Sequence, residues 1–328
     1  MVTELLISIS VSAIVCALVG VFLIPYLRKV KAGQSIREDG PVWHKSKQGT
    51  PTMGGIMFVA GIIAVTFTVG LPEIISGNLA GVFILVFALI FALVGFLDDY
   101  EKLKKKQNLG LRAKHKFALQ LIVAIAFIVI MESTDYISFD LYVPFVNIYL
   151  SIHPIIYYVF ASFVIVGTVN SVNLTDGTDG LSSGVTIPVS AFFTIVAFMW
   201  GEVAIGIIAA AVTGGLIAFL VFNFHPAKVF MGDTGSMFLG GIVCALAFAL
   251  DMPLILVTIG FIYFVEALSV IIQVSYFKLT KGKRVFKMAP IHHHFEMCGW
   301  NEYKVFAVFT TVSVLFAVIS YLGVYQRV

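Results

Sequence analysis

Runs of about twenty residues with almost no charge recur along this chain, separated by short polar loops. A bilayer core about 30 Å thick asks this of a crossing helix, because every backbone amide inside hydrocarbon must find its partner within its own segment. Ten such runs can be read, at residues 5–27, 53–71, 80–97, 117–131, 155–172, 185–200, 203–222, 237–250, 253–277 and 305–325. Composition agrees: 12% of the 328 residues are charged and mean hydropathy is +1.00, whereas a soluble domain carries about 25% charge. The first run is too long for the core of a signal peptide and no small-residue cleavage pattern follows it, so it is expected to stay as a helix. The expected fold is a single all-α polytopic membrane domain over residues 1–328.

The net charge of +3 says little, but its distribution orients the chain. When loops are assigned alternately to two sides, every Lys and Arg except Arg327 falls in loops 28–52, 98–116, 223–236 and 278–304 or their flanks. Cytoplasmic loops carry such an excess. Five loops, including the cation-free one near 173–184, are therefore expected in the cytoplasm and both termini outside. Alternation in the external segment 132–154, from Tyr136 to Leu141, predicts a small hairpin. The long polar loop 278–304 has room for a short helix. Cys16 and Cys244 lie in apolar runs and Cys298 in a basic loop, with neither metal nor disulfide spacing.

Chemistry-bearing residues collect on the cation-rich side. Asp98 and Asp99 end the third run in Gly-Phe-Leu-Asp-Asp-Tyr. Two carboxylates at the mouth of an apolar helix are costly unless a cation neutralises them. Ion pairing with Lys102 and Lys105 one turn on would do so, and so would magnesium, which favours compact carboxylates and keeps several waters. The stretch from Asn170 through Asn173, Asp176, Gly177, Asp179 and Gly180 repeats Asp-Gly at a spacing of three. It is richer than a helix turn needs, and its glycines permit close backbone approach to a ligand. Asn223 opens a third segment that runs through Phe230 to Gly232-Asp233-Thr234-Gly235-Ser236, where amides and hydroxyls at a helix start can face an anion. Phe230 is either a stacking face for a base or a membrane-interface aromatic. His292, His293 and His294 are consecutive, a poor arrangement for zinc. Lys47 and Thr52 precede the second run beside Gly54 and Gly55, and Glu266 is an ionisable residue deep within a run, with no role evident from sequence. Acids for a divalent cation, lysines for phosphates and histidines that titrate near neutrality suit phosphoryl transfer, which depends mostly on positioning and charge neutralisation. At a membrane edge, one substrate is expected to be a lipid.

Five segments in order, Gly49-Thr-Pro-Thr-Met-Gly-Gly55, Gly95-Phe-Leu-Asp-Asp-Tyr100, Asn173-Leu-Thr-Asp-Gly-Thr-Asp-Gly-Leu181, Phe230-Met-Gly-Asp-Thr-Gly-Ser236 and Pro290-Ile-His-His-His-Phe-Glu296, resemble the polyprenyl-phosphate N-acetylhexosamine-1-phosphate transferase superfamily. The His-His-His-Phe-Glu form is that of its muramoyl-pentapeptide branch. Thr178 departs from the Leu usual between the two Asp-Gly units. The resemblance implies a bacterial plasma-membrane enzyme that transfers phospho-N-acetylmuramoyl-pentapeptide from UDP to undecaprenyl phosphate and releases UMP. It further implies magnesium, a homodimer, inhibition by nucleoside antibiotics and no nucleic-acid partner. Carried over residue by residue, Asp233 with Asp98 and Asp99 would hold the metal and, with His292, His293 and His294, form the catalytic set. Lys47, Asn173, Asp176, Gly177, Asp179, Asn223 and Phe230 would line the nucleotide pocket, Thr52 and Asn170 would also bind substrate, Lys102 and Lys116 would hold phosphates, and the three histidines would touch the diphosphate or sugar. A phosphate monoester is already largely a dianion at neutral pH, its second pKa being about 6. Direct attack by the lipid phosphate is thus favoured over a covalent aspartyl intermediate. Two alternatives remain at this stage: a sister transferase with a UDP-N-acetylglucosamine donor, and a secondary transporter. Transporters place ionisable groups near the midplane, whereas these acids cluster at one interface.

Overall fold

The computed structural model describes residues 1–30, 32, 47–105 and 110–327. Lys31, Arg37, Lys45 and Lys106, which contribute to the charge asymmetry, lie outside the described residues. The elements are α1 (Val2–Lys29), α2 (Ile56–Thr68), α3 (Leu71–Ile75), α4 (Ala80–Lys105), α5 (Ala113–Ser133), the strands β1 (Asp140–Val143) and β2 (Ile148–Ser151), α6 (Pro154–Thr175), α7 (Leu181–Trp200), α8 (Val203–Asn223), α9 (Gly232–Ala249), α10 (Leu256–Ile259), α11 (Phe261–Leu279), α12 (Ile291–Met297) and α13 (Glu302–Val324). Among the described residues, nine helices are long and apolar enough to cross a membrane.

The second expected span, 53–71, is shorter than the sequence suggests. α2 has 13 residues, about 20 Å at 1.5 Å per residue. Its run is cut back because Gly54 N–H donates to Phe230 O at 2.8 Å and Gly55 N–H to Met231 O at 3.0 Å. These glycines serve a loop contact, and the helix starts only at Ile56. The run at 253–277 is broken as well. Pro253 opens a 3-10 turn, α10 lasts one turn, and the chain re-enters a helix after Gly260. In loop 278–304 the expected short helix is α12.

Burial sorts the helices into layers. The best apolar windows of α9, α7 and α8 are 83%, 78% and 72% buried, whereas those of α1, α5, α11 and α13 are 22–28% buried. The first three form the core and the others present apolar side chains outward, as lipid-facing helices must. Small residues let the core helices close up. A Cβ on Gly240 of α9 would lie 2.6 Å from Val169 Cα of α6, and one on Gly214 of α8 would collide with Ile9 O of α1.

The two ends of the bundle differ in chemistry. At one end, β1 and β2 pair antiparallel, with Asp140 opposite Ser151 and Val143 opposite Ile148. The strand starts at Asp140, later than the alternation from Tyr136 suggests. Arg327 fastens this end: its guanidinium donates to Leu250 O at 2.8 Å and Tyr149 Oη at 2.9 Å and lies over the rings of Tyr142 and Trp200 at 4.5 and 4.6 Å. Arg327 thus clamps the hairpin to three helix ends. All the motif segments gather at the opposite end. On a background lacking the exposed Cys298, cysteines introduced as Lys105→Cys and Ser138→Cys should react with a membrane-impermeant maleimide from opposite faces of sealed vesicles. Labelling of both from one face would contradict this arrangement.

Candidate active site

The site begins with the docking of α9 on α4. Met231, at the α9 N-cap position, makes no side-chain cap, so the first amides of α9 need an acceptor from elsewhere. Asp99 supplies it from the last turns of α4. Its Oδ1 accepts from Asp233 N at 3.1 Å, and its Oδ2 from Thr234 N at 2.9 Å and Thr234 Oγ1 at 2.7 Å. A carboxylate at a helix N-terminus also meets the positive end of the helix dipole. Gly95, one turn back, permits the approach, since a Cβ there would collide with Asp233 O. The Gly-Phe-Leu-Asp-Asp segment is therefore a docking surface followed by a cap. Asp99 thus caps α9 with both oxygens engaged, and its Oδ1 also lies 3.9 Å from Lys102 Nζ.

Asp98 and Asp233 face a pair of lysines. Lys102 Nζ lies 2.6 Å from Asp98 Oδ2 and 3.0 Å from Asp233 Oδ2, and Lys116 Nζ lies 2.7 Å from the same Asp233 oxygen. Leu111 N–H donates to Asp98 Oδ1 at 2.9 Å. Asn173 Nδ2 donates to Asp233 Oδ1 at 3.0 Å and to Ser236 Oγ at 2.8 Å. The Asp98 and Asp99 side chains are 5% and 4% exposed and that of Asp233 18%, so Asp233 is the open member. Asp176 follows α6 beside this group. Burial, then the negative charges of Asp233, Asp99 and Asp179, push its carboxyl up to about 8.

A second cluster centres on Lys47, whose Nζ lies 2.7 Å from Asp179 Oδ1 and 2.6 Å from Glu302 Oε2. Asp179 Oδ2 lies 2.9 Å from His225 Nδ1 and accepts from Ala227 N at 3.0 Å. Asn223 Oδ1 accepts from Gly180 N at 3.1 Å while its Nδ2 donates to Val229 O at 3.0 Å. Asp179 and Asn223 thus join the 176–180 turn to the 224–230 loop. Three groups here, Asp179, His225 and Glu302, are close enough to share a metal, but the Lys47 ammonium already bridges the two acids. Phe230 is held by its backbone, donating to Pro51 O and accepting from Gly54 N, both at 2.8 Å, with its ring partly buried. Thr52 is buried where the preceding loop passes Gly232.

The remaining residues divide. Asn170, one turn below Asn173, exchanges amide hydrogen bonds with Gln120 and so ties α6 to α5. The three histidines of α12 point to three partners, as successive helical residues must. His292 is fully buried with Nδ1 3.0 Å from Glu266 Oε2, and its Nε2 faces Gly177. His293 Nδ1 lies 2.6 Å from Glu296 Oε2. His294 Nδ1 accepts from Lys287 N at 3.1 Å and so holds the preceding loop. Sequence reasoning did not single out His225, Glu302 or Gln120 as site residues. The signals were weak: a His before Pro226, an acid in the first turn of α13 and a Gln in an apolar run.

Removing one partner of a buried ion pair strands the other, which costs about 3–5 kcal/mol. Lys47→Ala strands two acids, so it should lower the unfolding temperature measured in detergent. Glu302→Gln in the same chain should recover part of the loss. An unchanged melting curve for Lys47→Ala would show that the ammonium is not the keystone of this cluster.

Comparison with known proteins gives the family. Residues 81–251 match the family described as glycosyl transferase family 4. Residues 47–59, the segment carrying Lys47 and Thr52, match phospho-N-acetylmuramoyl-pentapeptide-transferase signature 1. A phospho-N-acetylmuramoyl-pentapeptide-transferase of Clostridium acetobutylicum is 46% identical, over 96% of this chain and 98% of its own length. That of Caldanaerobacter subterraneus subsp. tengcongensis is 46% identical over 98% and 99%, and that of Bacillus cytotoxicus 44% over 98% of each. With five motif segments converging on one end of the bundle and likeness along nearly its whole length, this chain belongs to the phospho-N-acetylmuramoyl-pentapeptide-transferase family.

Proposed function

We propose that the chain transfers phospho-N-acetylmuramoyl-pentapeptide from its UDP-linked donor to undecaprenyl phosphate, forming the first lipid-linked peptidoglycan precursor and UMP, at the cytoplasmic face of a bacterial plasma membrane. The observation that carries the reading is the convergence of Asp98, Asp233, Lys102 and Lys116 on one point, at the mouth of an otherwise apolar bundle. It supplies both signs of charge that a diphosphate and its counter-ion need, at the depth where a lipid phosphate and a soluble nucleotide can meet.

The donor set fits magnesium. Asp98 Oδ2 and Asp233 Oδ2 are hard carboxylate oxygens that both reach a single cationic atom, Lys102 Nζ, at 2.6 and 3.0 Å. Asp233 and Asp98 would hold the ion, and Asp99 would set α9 beneath it. When bound, magnesium supplies charge neutralisation on the phosphates. Lys102 and Lys116 would turn from these carboxylates to phosphate oxygens of the two substrates. The turn at Asp176 and Gly177 and the ring of Phe230 would receive the nucleoside. Asp98 would orient the lipid phosphate, whose dianion attacks without needing a base. The chain is expected to form a homodimer.

The test is UMP release by purified protein in detergent. Release is expected with the muramoyl-pentapeptide donor and magnesium, and is expected to be lost with a chelator. Release from UDP-N-acetylglucosamine but not the muramoyl donor would overturn the donor assignment. Base–aromatic stacking is worth about 1–3 kcal/mol. Phe230→Ala should therefore raise the KM for the UDP-sugar roughly 5- to 150-fold, with little change in the KM for the lipid phosphate. The reverse pattern would make Phe230 a membrane-interface aromatic.

A further inference from the structure

Glu266 lies within α11, in the apolar run where an ionisable residue is least expected. Its side chain and that of His292 are both 0% exposed, and the carboxylate Oε2 is 3.0 Å from His292 Nδ1. Two atoms of the pair find no protein partner: Glu266 Oε1 and His292 Nε2. The second has a direction. Gly177 sits against this ring, since a Cβ on that glycine would collide with His292 Nε2. Ser269, one turn further along α11, donates to the Glu266 backbone carbonyl and leaves the carboxylate to the imidazole.

A carboxylate on one ring nitrogen fixes both the rotation of an imidazole and the nitrogen that carries the proton. With Nδ1–H donating to Glu266, the neutral ring presents Nε2 as an acceptor. That acceptor is buried at the 176–180 turn, where polar groups are seldom left unmatched. Gly177 is the residue that makes room for it.

We propose that Glu266 is a positioning residue for the transfer reaction: it holds His292 in the Nδ1–H form, so that Nε2 accepts a hydrogen bond from an N–H or O–H group of the sugar nucleotide bound at the turn containing Gly177. The inference rests on the transferase reading above. Glu266 itself touches no substrate and acts only through the imidazole.

The experiment combines kinetics with ¹⁵N-histidine spectra of the full chain. Glu266→Leu removes the acceptor of the Nδ1 proton, whereas Glu266→Gln keeps one in its amide carbonyl. Glu266→Leu should raise the KM for the sugar nucleotide about tenfold, the effect of one buried hydrogen bond, and leave the KM for the polyprenyl phosphate within about twofold. Glu266→Gln should recover most of the loss. In a His292→Gln background, Glu266→Leu should add nothing further. The spectra of the wild type and of Glu266→Gln should show His292 protonated at Nδ1 and bare at Nε2. A purely structural role would give additive losses in the double variant. That result, an unchanged KM in Glu266→Leu or a wild-type His292 protonated at Nε2 would overturn the proposal. If Glu266→Leu does not fold, Glu266→Gln and the two spectra carry the same test. Absence of UMP release by the wild type would instead strike the transferase reading, and the spectra would still report on the pair.

Discussion

The hydrogen bonds from the start of α9 to Asp99 are the contact on which the functional end of this molecule rests. α9 is the most buried of the long helices, and its first amides would otherwise face a low-dielectric interior with no acceptor. By capping it from α4, Asp99 places Asp233 in the first turn, beside Asp98 and within reach of Lys102, Lys116 and Asn173. Gly95 lets the two helices come close enough, and Gly232, at φ 74°, lets the chain enter the helix beside Thr52 and Asp99. The Asp233 carboxylate is thus set by packing of the bundle, which is how a site holds its geometry without relying on loops.

Charge is the second constraint. Ionisable groups at the edge of a bilayer must be neutralised locally, and this chain does so in linked groups. Lys102 and Lys116 answer the acids at Asp98 and Asp233, Lys47 answers Asp179 and Glu302, and Glu266 meets His292. The groups meet in the 176–180 turn: Asp176 adjoins the first, Asp179 belongs to the second and Gly177 touches the third. A ligand that arrives there can bias all three at once. The Asp176 carboxyl is raised by its burial first and by the negative charge of Asp233, Asp99 and Asp179 second.

Much of this was legible in the residues. Uncharged runs of helix length give the spans, and Gly-flanked acids at their ends mark the candidate site. Sequence alone misjudged places where tertiary contacts override a local pattern. Gly54 and Gly55 look like the start of a span, yet they bond to Phe230 and Met231 and shorten α2. Residues 253–277 read as one apolar helix, but Gly260 divides it. Within the candidate site, residue type marked the ionisable side chains but not how they pair. Asp98 and Asp99 are equivalent in sequence, and only the structure shows that Asp98 holds Lys102 at 2.6 Å while Asp99, 3.9 Å from that ammonium, caps α9. The three histidines likewise look alike until α12 turns them toward Glu266, Glu296 and the backbone of Lys287. Glu266 had no role until a residue 26 positions away supplied one.

The account stands most directly on Asp233. In Asp233→Asn the backbone amide that bonds Asp99 is kept, so α9 should stay docked and the unfolding temperature in detergent should stay close to that of the wild type. Turnover should fall by about a hundredfold or more, the scale seen when one preorganised electrostatic group is lost from a reacting centre. UMP release near the wild-type rate from a folded Asp233→Asn protein would contradict the central role given to this carboxylate.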